Sequence, residues 1–181
     1  MEQLTQGQTL TVRATRIRVG LGWDKVRTAG ALSGIPDVDL DASAVQFADG
    51  ELFDLAFYNN LRTRDGSVEH LGDNQTGRGE GDDETIAVDL AKVYEKVDTI
   101  FLLVSSYQGH SLEWIHNAYC RIVDEDDAEI ARVTLTGGVS ETGVVLAKLV
   151  RGTDGWSVHA LAEGIAVTLP TESPARLKRF L

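Results

Sequence analysis

The chain has few of the features that mark secreted, membrane-spanning or nucleic-acid-binding proteins. Its single cysteine, Cys120, cannot form an internal disulfide bond. No apolar run approaches the roughly 20 residues that a membrane-spanning helix needs, and the start MEQLTQG lacks the charged and then apolar pattern of a signal peptide. With 17 basic against 28 acidic residues, the net charge of -11 disfavours contact with nucleic acid and anionic membranes. These absences predict a cytoplasmic protein that neither inserts into a membrane nor binds nucleic acid.

What the chain does have is apolar sequence for one sizeable core, arranged mostly as strands. Its 181 residues are 43% hydrophobic, which favours a single domain over residues 1–181. Within residues 9–21 the alternation of apolar and polar residues changes phase between Ala14 and Ile17, which predicts a bulge or bend between two strand segments. Turn signals such as Asp49-Gly50 and Asp154-Gly155 separate short strand-like runs. About nine strands at this spacing predict an all-β fold, a single-domain β-sandwich. The predicted strands are 9–21, 43–48, 54–59, 85–90, 98–106, 117–123, 129–135, 143–150 and 156–162.

Helix signals are few. Residues 110–117 (HSLEWIHN) are predicted to form a short helix, with Leu112 and Ile115 facing inward. Near the end of the chain, Ser173 followed by Pro174 is a typical helix start, and basic residues follow in the next turn. The sequence therefore predicts one or two short helices beside the sandwich.

The most unusual feature is the acidic, glycine-rich segment 65–84, which reads DGSVEHLGDNQTGRGEGDDE. Carboxylates this close repel one another, and glycine raises the entropic cost of ordering the backbone. A cation that gathers the carboxylates offsets both costs, and hard divalent ions prefer such oxygen donors. Calcium binding by this long acidic loop is therefore the first hypothesis.

Two further groups of oxygen donors lie near predicted strands. If residues 37–41 are extended, Asp37, Asp39 and Asp41 share one face, where they repel one another without a counter-ion. Asn59 and Asn60 follow the aromatic end of another predicted strand. Each group alone is typical of a solvated turn. Three groups in the first half of the chain favour a shared ion site.

Other kinds of site find less support in the sequence. The segment from Asp73 to Glu84 lacks the ligand spacing and the central glycine of an EF-hand. The four histidines are scattered without the spacing of a zinc site, and His70, inside the acidic segment, is expected to be exposed to solvent. Cys120 lies between apolar residues and is expected to be a buried structural cysteine. No catalytic residue is identified, and the sequence predicts a protein that is not an enzyme.

Five motifs follow one another along the first half of the chain: GLGWD (20–24), DVDLDASAV (37–45), FYNN (57–60), the acidic segment (65–84) and IAVDL (86–90). Their order resembles the TerD family of tellurium-resistance and general-stress proteins, which bind calcium. The resemblance extends through RIVDEDDAEIARVTL (121–135) to the hairpin near Trp156 and covers about residues 4–168. Residues 168–181 form a C-terminal tail that the family does not match.

The resemblance implies a β-sandwich with Ca²⁺ as its cofactor, held by acidic loops. It implies a calcium-binding protein of stress response or tellurite resistance, acting as a binding or scaffold module with possible protein partners in a stress-response complex. The alternatives are a metal-dependent enzyme that uses the ion in an unknown reaction, and a relative that has lost calcium. Carried over to this chain, the implied metal ligands are Asp39, Asp41, Asn59, Asn60, Asp65, Asp73, Asp82, Asp83 and Glu84.

Overall fold

A computed structural model describes residues 1–24, 40–73, 82–113 and 115–181. For Asp24, Asp73 and His116 it describes the backbone alone. These residues form twelve strands and one short α-helix. The strands are β1 (Glu2–Leu4), β2 (Thr9–Val12), β3 (Arg16–Asp24), β4 (Asp41–Ala48), β5 (Glu51–Ala56), β6 (Val68–Asp73), β7 (Glu84–Asp89), β8 (Val97–Ser105), β9 (His116–Val123), β10 (Glu129–Leu135), β11 (Gly143–Gly152) and β12 (Gly155–Ile165); the helix is α1 (Ser173–Leu177).

The strands form two six-stranded sheets packed face to face, so the predicted β-sandwich is confirmed. The first sheet has the order β1-β10-β9-β3-β7-β6, and the second has the order β2-β12-β11-β8-β4-β5. All neighbouring strands are antiparallel except β1 and β10, which run parallel. Among the described residues no helix is both long enough and apolar enough to cross a bilayer.

The core lies between the sheets and follows from the alternation along each strand. On β3 the inward residues Ile17, Val19 and Leu21 are almost fully buried, and they belong to the same cluster as Ile100 and Leu102 of β8. Burying one such side chain stabilises the fold by roughly 1.5–3 kcal/mol. The two-residue period that predicts the strands therefore also identifies most of the core.

The phase change within residues 9–21 marks a passage between sheets. Strand β2 pairs with β12 in the second sheet, whereas β3 pairs with β7 and β9 in the first. Residues 13–15, between β2 and β3, therefore carry the chain from one layer to the other. The predicted bend is correct, but its two arms belong to different sheets.

The two aspartate–glycine pairs form different turns. Asp49 and Gly50 both have positive φ, 53° and 77°, and they connect β4 to β5, as a type I′ hairpin requires. In the other hairpin Gly152 pairs with Gly155, so the two turn residues are Thr153 and Asp154, and Gly155 begins β12. The hairpin prediction is confirmed, with the turn one residue earlier than the aspartate–glycine pair suggests.

Two sequence predictions of secondary structure are wrong. The helix at 110–117 is absent from the described part of this range, because Leu112 forms a bridge with Val139 and His116 begins β9. Leu112 and Ile115 are nevertheless buried, as expected. The segment 65–84 is not one long loop either, because residues 68–73 form β6 at the edge of the first sheet. Strand β1 at residues 2–4 was also not predicted from the sequence.

The C-terminal tail covers the outer face of the second sheet. Helix α1 begins at Ser173, as predicted, and has a 3-10 turn on each side, Pro170–Glu172 and Lys178–Phe180. Leu177 is fully buried in an apolar cluster with Phe47 and Phe101, whose side chains point away from the central core. The tail therefore gives this sheet a second apolar layer.

Candidate metal site at the acidic end of the sandwich

Four strand ends meet at one end of the molecule, which we call the acidic end. It contains Leu21 of β3, Ala42 of β4, Asp73 of β6 and Glu84 of β7. Leu21 near the end of β3 and Asp73 at the end of β6 both pair with Glu84, the first residue of β7. From the other sheet, the backbone N–H of Ala42 on β4 donates a hydrogen bond to the Glu84 carboxylate. The acidic end therefore draws residues from both sheets. It is also where residues 25–39 and 74–81, which are outside the described part, join the strands.

Glu84 is a buried carboxylate that ties the sheets together. Glu84 is 3% exposed. Its Oε2 accepts hydrogen bonds from the Ala42 N–H and from His70 Nε2, the latter at 3.3 Å. Alternation on β7 places Glu84 on the inner face with Ile86 and Val88. A carboxylate in this position requires partners, because an isolated buried charge is costly.

His70 is the partner of Glu84, and its expected exposure to solvent is wrong. The residue is 3% exposed and lies on the inner face of β6 with Val68. The Gly72 N–H donates to His70 Nδ1 at 3.1 Å. Because Nδ1 accepts this bond, the neutral imidazole carries its proton on Nε2. The Nε2–H group then donates a hydrogen bond to Glu84. The unrecognised strand β6 explains the error.

Asp83 and Asp41 are two further acidic residues at the acidic end. The Asp83 N–H donates to the Leu21 carbonyl at 2.8 Å, and Asp83 Oδ2 accepts from the Trp23 N–H at 2.9 Å. These two bonds hold Asp83 over the end of β3. Asp41 is the half-buried first residue of β4, directly beside Ala42.

The turn that contains Asn59 and Asn60 lies near Asp41. Burial raises the pKa of the Tyr58 hydroxyl, and the negative charge of Asp41 raises it further. The backbone groups of Phe57 and Asn60 exchange two hydrogen bonds that close the turn, and the Asn60 amide donates to the Leu55 carbonyl at 2.7 Å. Asn59 is exposed. The turn is thus fixed, with Asn59 facing solvent.

Asp65 lies elsewhere in the sandwich. Its Oδ1 accepts from the Thr63 hydroxyl at 2.8 Å and from Ser67, while Oδ2 accepts from the Tyr94 N–H at 3.0 Å and from the Gln46 amide. Burial alone would raise the pKa of Asp65, but these hydrogen bonds outweigh it and lower the pKa. Gln46 is four residues along β4 from Ala42, a separation of about 13 Å. Asp65 therefore organises its own turn, far from Glu84.

Asp82 faces a basic residue rather than its acidic neighbours. Its two carboxylate oxygens accept from Arg121 Nε and Nη2 at 2.7 and 2.8 Å, and Oδ1 also accepts from the Tyr119 hydroxyl at 3.2 Å. Arg121 and Tyr119 belong to β9 and lie on the outer face of the first sheet. The acidic run 82–84 is therefore divided between two faces of this sheet.

The structure thus places part of the predicted ligand set at the acidic end without gathering the described side chains into one cluster. Asp41, Asp83 and Glu84 lie at the acidic end with the backbone of Asp73, and the turn of Asn59 and Asn60 is nearby, whereas Asp65 and Asp82 are engaged elsewhere. Asp39 lies outside the described residues, and the described side chains alone include no cluster of three or more acidic, histidine or cysteine residues that could hold a metal ion. The ligand set remains a prediction. Sequence reasoning missed the pairings of His70 with Glu84 and of Arg121 with Asp82, and only strand alternation could have suggested the first.

The fold and the acidic end define a β-sandwich of the type found in tellurium-resistance proteins. Residues 1–171 match the family model described as the TerD domain. The tellurium resistance proteins TerZ and TerD of Serratia marcescens are similar: TerZ is 36% identical over 171 residues, covering 89% of each chain, and TerD is 39% identical over 160 residues, covering 83% of this chain and 81% of TerD. Stress response protein SCP2 of Bacillus subtilis is 34% identical over 165 residues, covering 83% of each chain.

A solved structure agrees with the fold. The crystal structure of a homologue of telluride resistance protein (TerD) from Streptomyces coelicolor A3(2) superimposes with a TM-score of 0.69, covering 91% of this chain and 98% of that chain. At 19% identity this likeness concerns the fold alone. The family match and the relatives show that the chain belongs to the TerD family of tellurium-resistance and stress-response proteins.

Proposed function

We propose that the chain binds Ca²⁺ at the acidic end and serves tellurium resistance or stress response as a binding or scaffold module rather than as an enzyme. The observation that carries this proposal is the convergence of the strand ends at the acidic end, where the Ala42 N–H of the second sheet donates to the Glu84 carboxylate of the first, and Asp41 and Asp83 are the adjacent residues in sequence. Protein partners and a cytoplasmic location remain predictions from the sequence.

The donor chemistry at the acidic end suits a hard cation. The acidic residues at this end carry carboxylate oxygens, and both ring nitrogens of His70 already take part in hydrogen bonds. Burial raises the pKa of the Cys120 thiol to about 12, so this residue offers no thiolate. Oxygen donors without thiolate or imidazole favour calcium or magnesium over zinc.

A complete calcium shell draws on more of the acidic sequence than Asp41, Asp83 and Glu84. Calcium takes roughly 6–8 oxygen ligands in an adaptable geometry. We therefore include Asp39 and Asp73, which flank the acidic end in sequence, together with backbone carbonyl groups and water. Ligands drawn from several chain segments favour calcium over magnesium, because magnesium demands a strict octahedron.

The enzyme alternative gains no support from the described cavities. Three of them, of about 260, 420 and 330 Å³, are lined by residues such as Ile17 and Val88, Leu10 and Ile130, and Ile165 and Ala175. None of their lining residues is an acidic-end carboxylate. A metal-dependent enzyme requires an open coordination position beside a substrate pocket.

Thermal unfolding with and without calcium tests the proposal. An ion that binds only the folded state stabilises it by about 2.7 kcal/mol at a hundredfold excess over the dissociation constant. For a chain of this size we expect calcium to raise the melting temperature by roughly 5–10 °C relative to chelator. Magnesium at the same concentration serves as the control and is expected to give a smaller shift. Identical curves in calcium and chelator would contradict the proposal.

A further inference from the structure

A connected polar network covers the outer face of the first sheet beside the acidic end. Arg121 forms two parallel hydrogen bonds to Asp82, at 2.7 and 2.8 Å, and its Nη1 lies 3.7 Å from Glu129 Oε2. Arg132 forms two bonds to the same Glu129, at 2.7 and 2.8 Å, and its guanidinium lies 4.4 Å from the centre of the Tyr119 ring. Arg121 is therefore held from the side opposite Asp82.

Two glycines of the GLGWD motif make room for this network. A Cβ atom on Gly20 would lie 2.0 Å from Asp82 Oδ2, and one on Gly22 would lie 2.5 Å from the Tyr119 ring. No side chain fits at either position while Asp82 and Tyr119 stay in place. The motif thus provides a flat surface on β3 for these two side chains.

The network fixes the point at which the acidic segment enters β7. A bend at Asp83 takes Asp82 out of the strand alternation, so Asp82 lies on the outer face while Glu84 lies inside. Asp83, between them, is held by β3 through Leu21 and Trp23. Anchoring Asp82 therefore restricts the backbone that presents Asp83 and Glu84 to the acidic end.

We propose that Asp82 and Arg121 are positioning residues for the ion site, and that Asp82 anchors the acidic segment instead of ligating the ion. This inference rests on the proposed calcium binding. Asp82 lies on the outer face of the first sheet, away from Glu84, where it accepts a two-pronged bond from Arg121, and such pairs are among the strongest charged hydrogen bonds. Residues that orient ligands without touching the metal commonly contribute to affinity as well.

The test compares R121Q, D82N and the double variant with the parent protein. Each single variant is expected to weaken calcium binding by about tenfold, and the double variant by no more than either single one, because both remove the same anchor. R121K keeps the positive charge but loses the pair of parallel N–H donors, and is expected to recover part of the calcium affinity.

The matched control is R18Q, since Arg18 lies on the same face of β3 in an exposed ion pair with Asp127. R18Q is expected to bind like the parent.

A second measurement uses the metal-free protein. Amide hydrogen exchange is expected to accelerate at residues 82–86 in R121Q and D82N but not in R18Q. If D82N abolished calcium binding while R121Q bound as tightly as the parent or more tightly, Asp82 would be a ligand and the proposal would be wrong. If the parent bound no calcium, the proposed function would fail. In that case hydrogen exchange alone would test the anchoring role of Asp82. Unchanged exchange in R121Q would refute that role, and faster exchange at residues 82–86 would support it.

Discussion

Replacing Glu84 with alanine is expected to lower the free energy of unfolding by about 3–5 kcal/mol in metal-free protein. Glu84 accepts hydrogen bonds from the Ala42 N–H and from His70 Nε2, and all these groups are buried. Its removal leaves two buried donors without an acceptor and cuts a direct link between the sheets. The cost of such unpaired buried groups usually exceeds the worth of the bond itself.

Urea unfolding in the presence of chelator measures this effect separately from calcium. The matched control is E69A, because Glu69 lies on the neighbouring strand β6 but is exposed, and surface changes of this kind alter stability by no more than about 0.5 kcal/mol. E84Q keeps the shape and one acceptor, so it is expected to fall between the two. A loss below about 1 kcal/mol in E84A would show that Glu84 is not the link between the sheets that its contacts indicate.

Converting Asp41 and Asp83 together to asparagine is expected to weaken calcium binding by about 100-fold or more, since changes outside the ligand shell alone cost about 10–100-fold. The double change removes two charges while preserving shape, and both residues lie at the acidic end. The fold is expected to survive, because an asparagine in place of Asp83 keeps an oxygen that can accept from the Trp23 N–H. Calorimetric titration of calcium into both proteins measures the difference.

A second pair of substitutions controls for net charge. Glu125→Gln with Asp126→Asn removes the same two charges from the exposed turn between β9 and β10. This variant is expected to bind calcium nearly as well as the parent. Equal weakening in both double variants would mean that calcium responds to overall charge, and that the acidic end is not its site.

Alternation and continuous apolar runs predict most of the sandwich, and the missed strand β6 shows where they fail. Residues 98–106 and 143–150 are recognised because apolar side chains occupy both faces of β8 and β11. Strand β6 is missed because it lies at a sheet edge within an acidic, glycine-rich segment, and among its described side chains only Val68 and His70 point into the core. Composition there indicates a loop, while pairing with β7 makes a strand. Tertiary contacts override local preference at such edges.

The roles of individual carboxylates could be predicted only in part. The acidic composition predicts an oxygen-rich site near the strand ends. Asp41, Asp83 and Glu84 all lie near strand ends at the acidic end, but their described side chains alone form no cluster that could hold a metal ion. Asp65 and Asp82 look equivalent to them in sequence. Asp65 takes part of its hydrogen bonds from the local residues Thr63 and Ser67, but its partner Tyr94 is 29 residues away, and Arg121, the partner of Asp82, is 39 residues away. A carboxylate's role depends on the donors that folding brings to it, and local sequence does not contain that information.

Calcium titration followed by backbone amide chemical shifts tests the central claim most directly, because it locates the ion as well as detecting it. Saturable shifts are expected at residues 40–42, 57–60 and 83–85, whereas residues 63–67 around Asp65 and the acidic turn 124–127 are expected to change little. An absence of saturable shifts would contradict calcium binding. Shifts centred on residues 63–67 or 124–127 would contradict the placement of the ion at the acidic end.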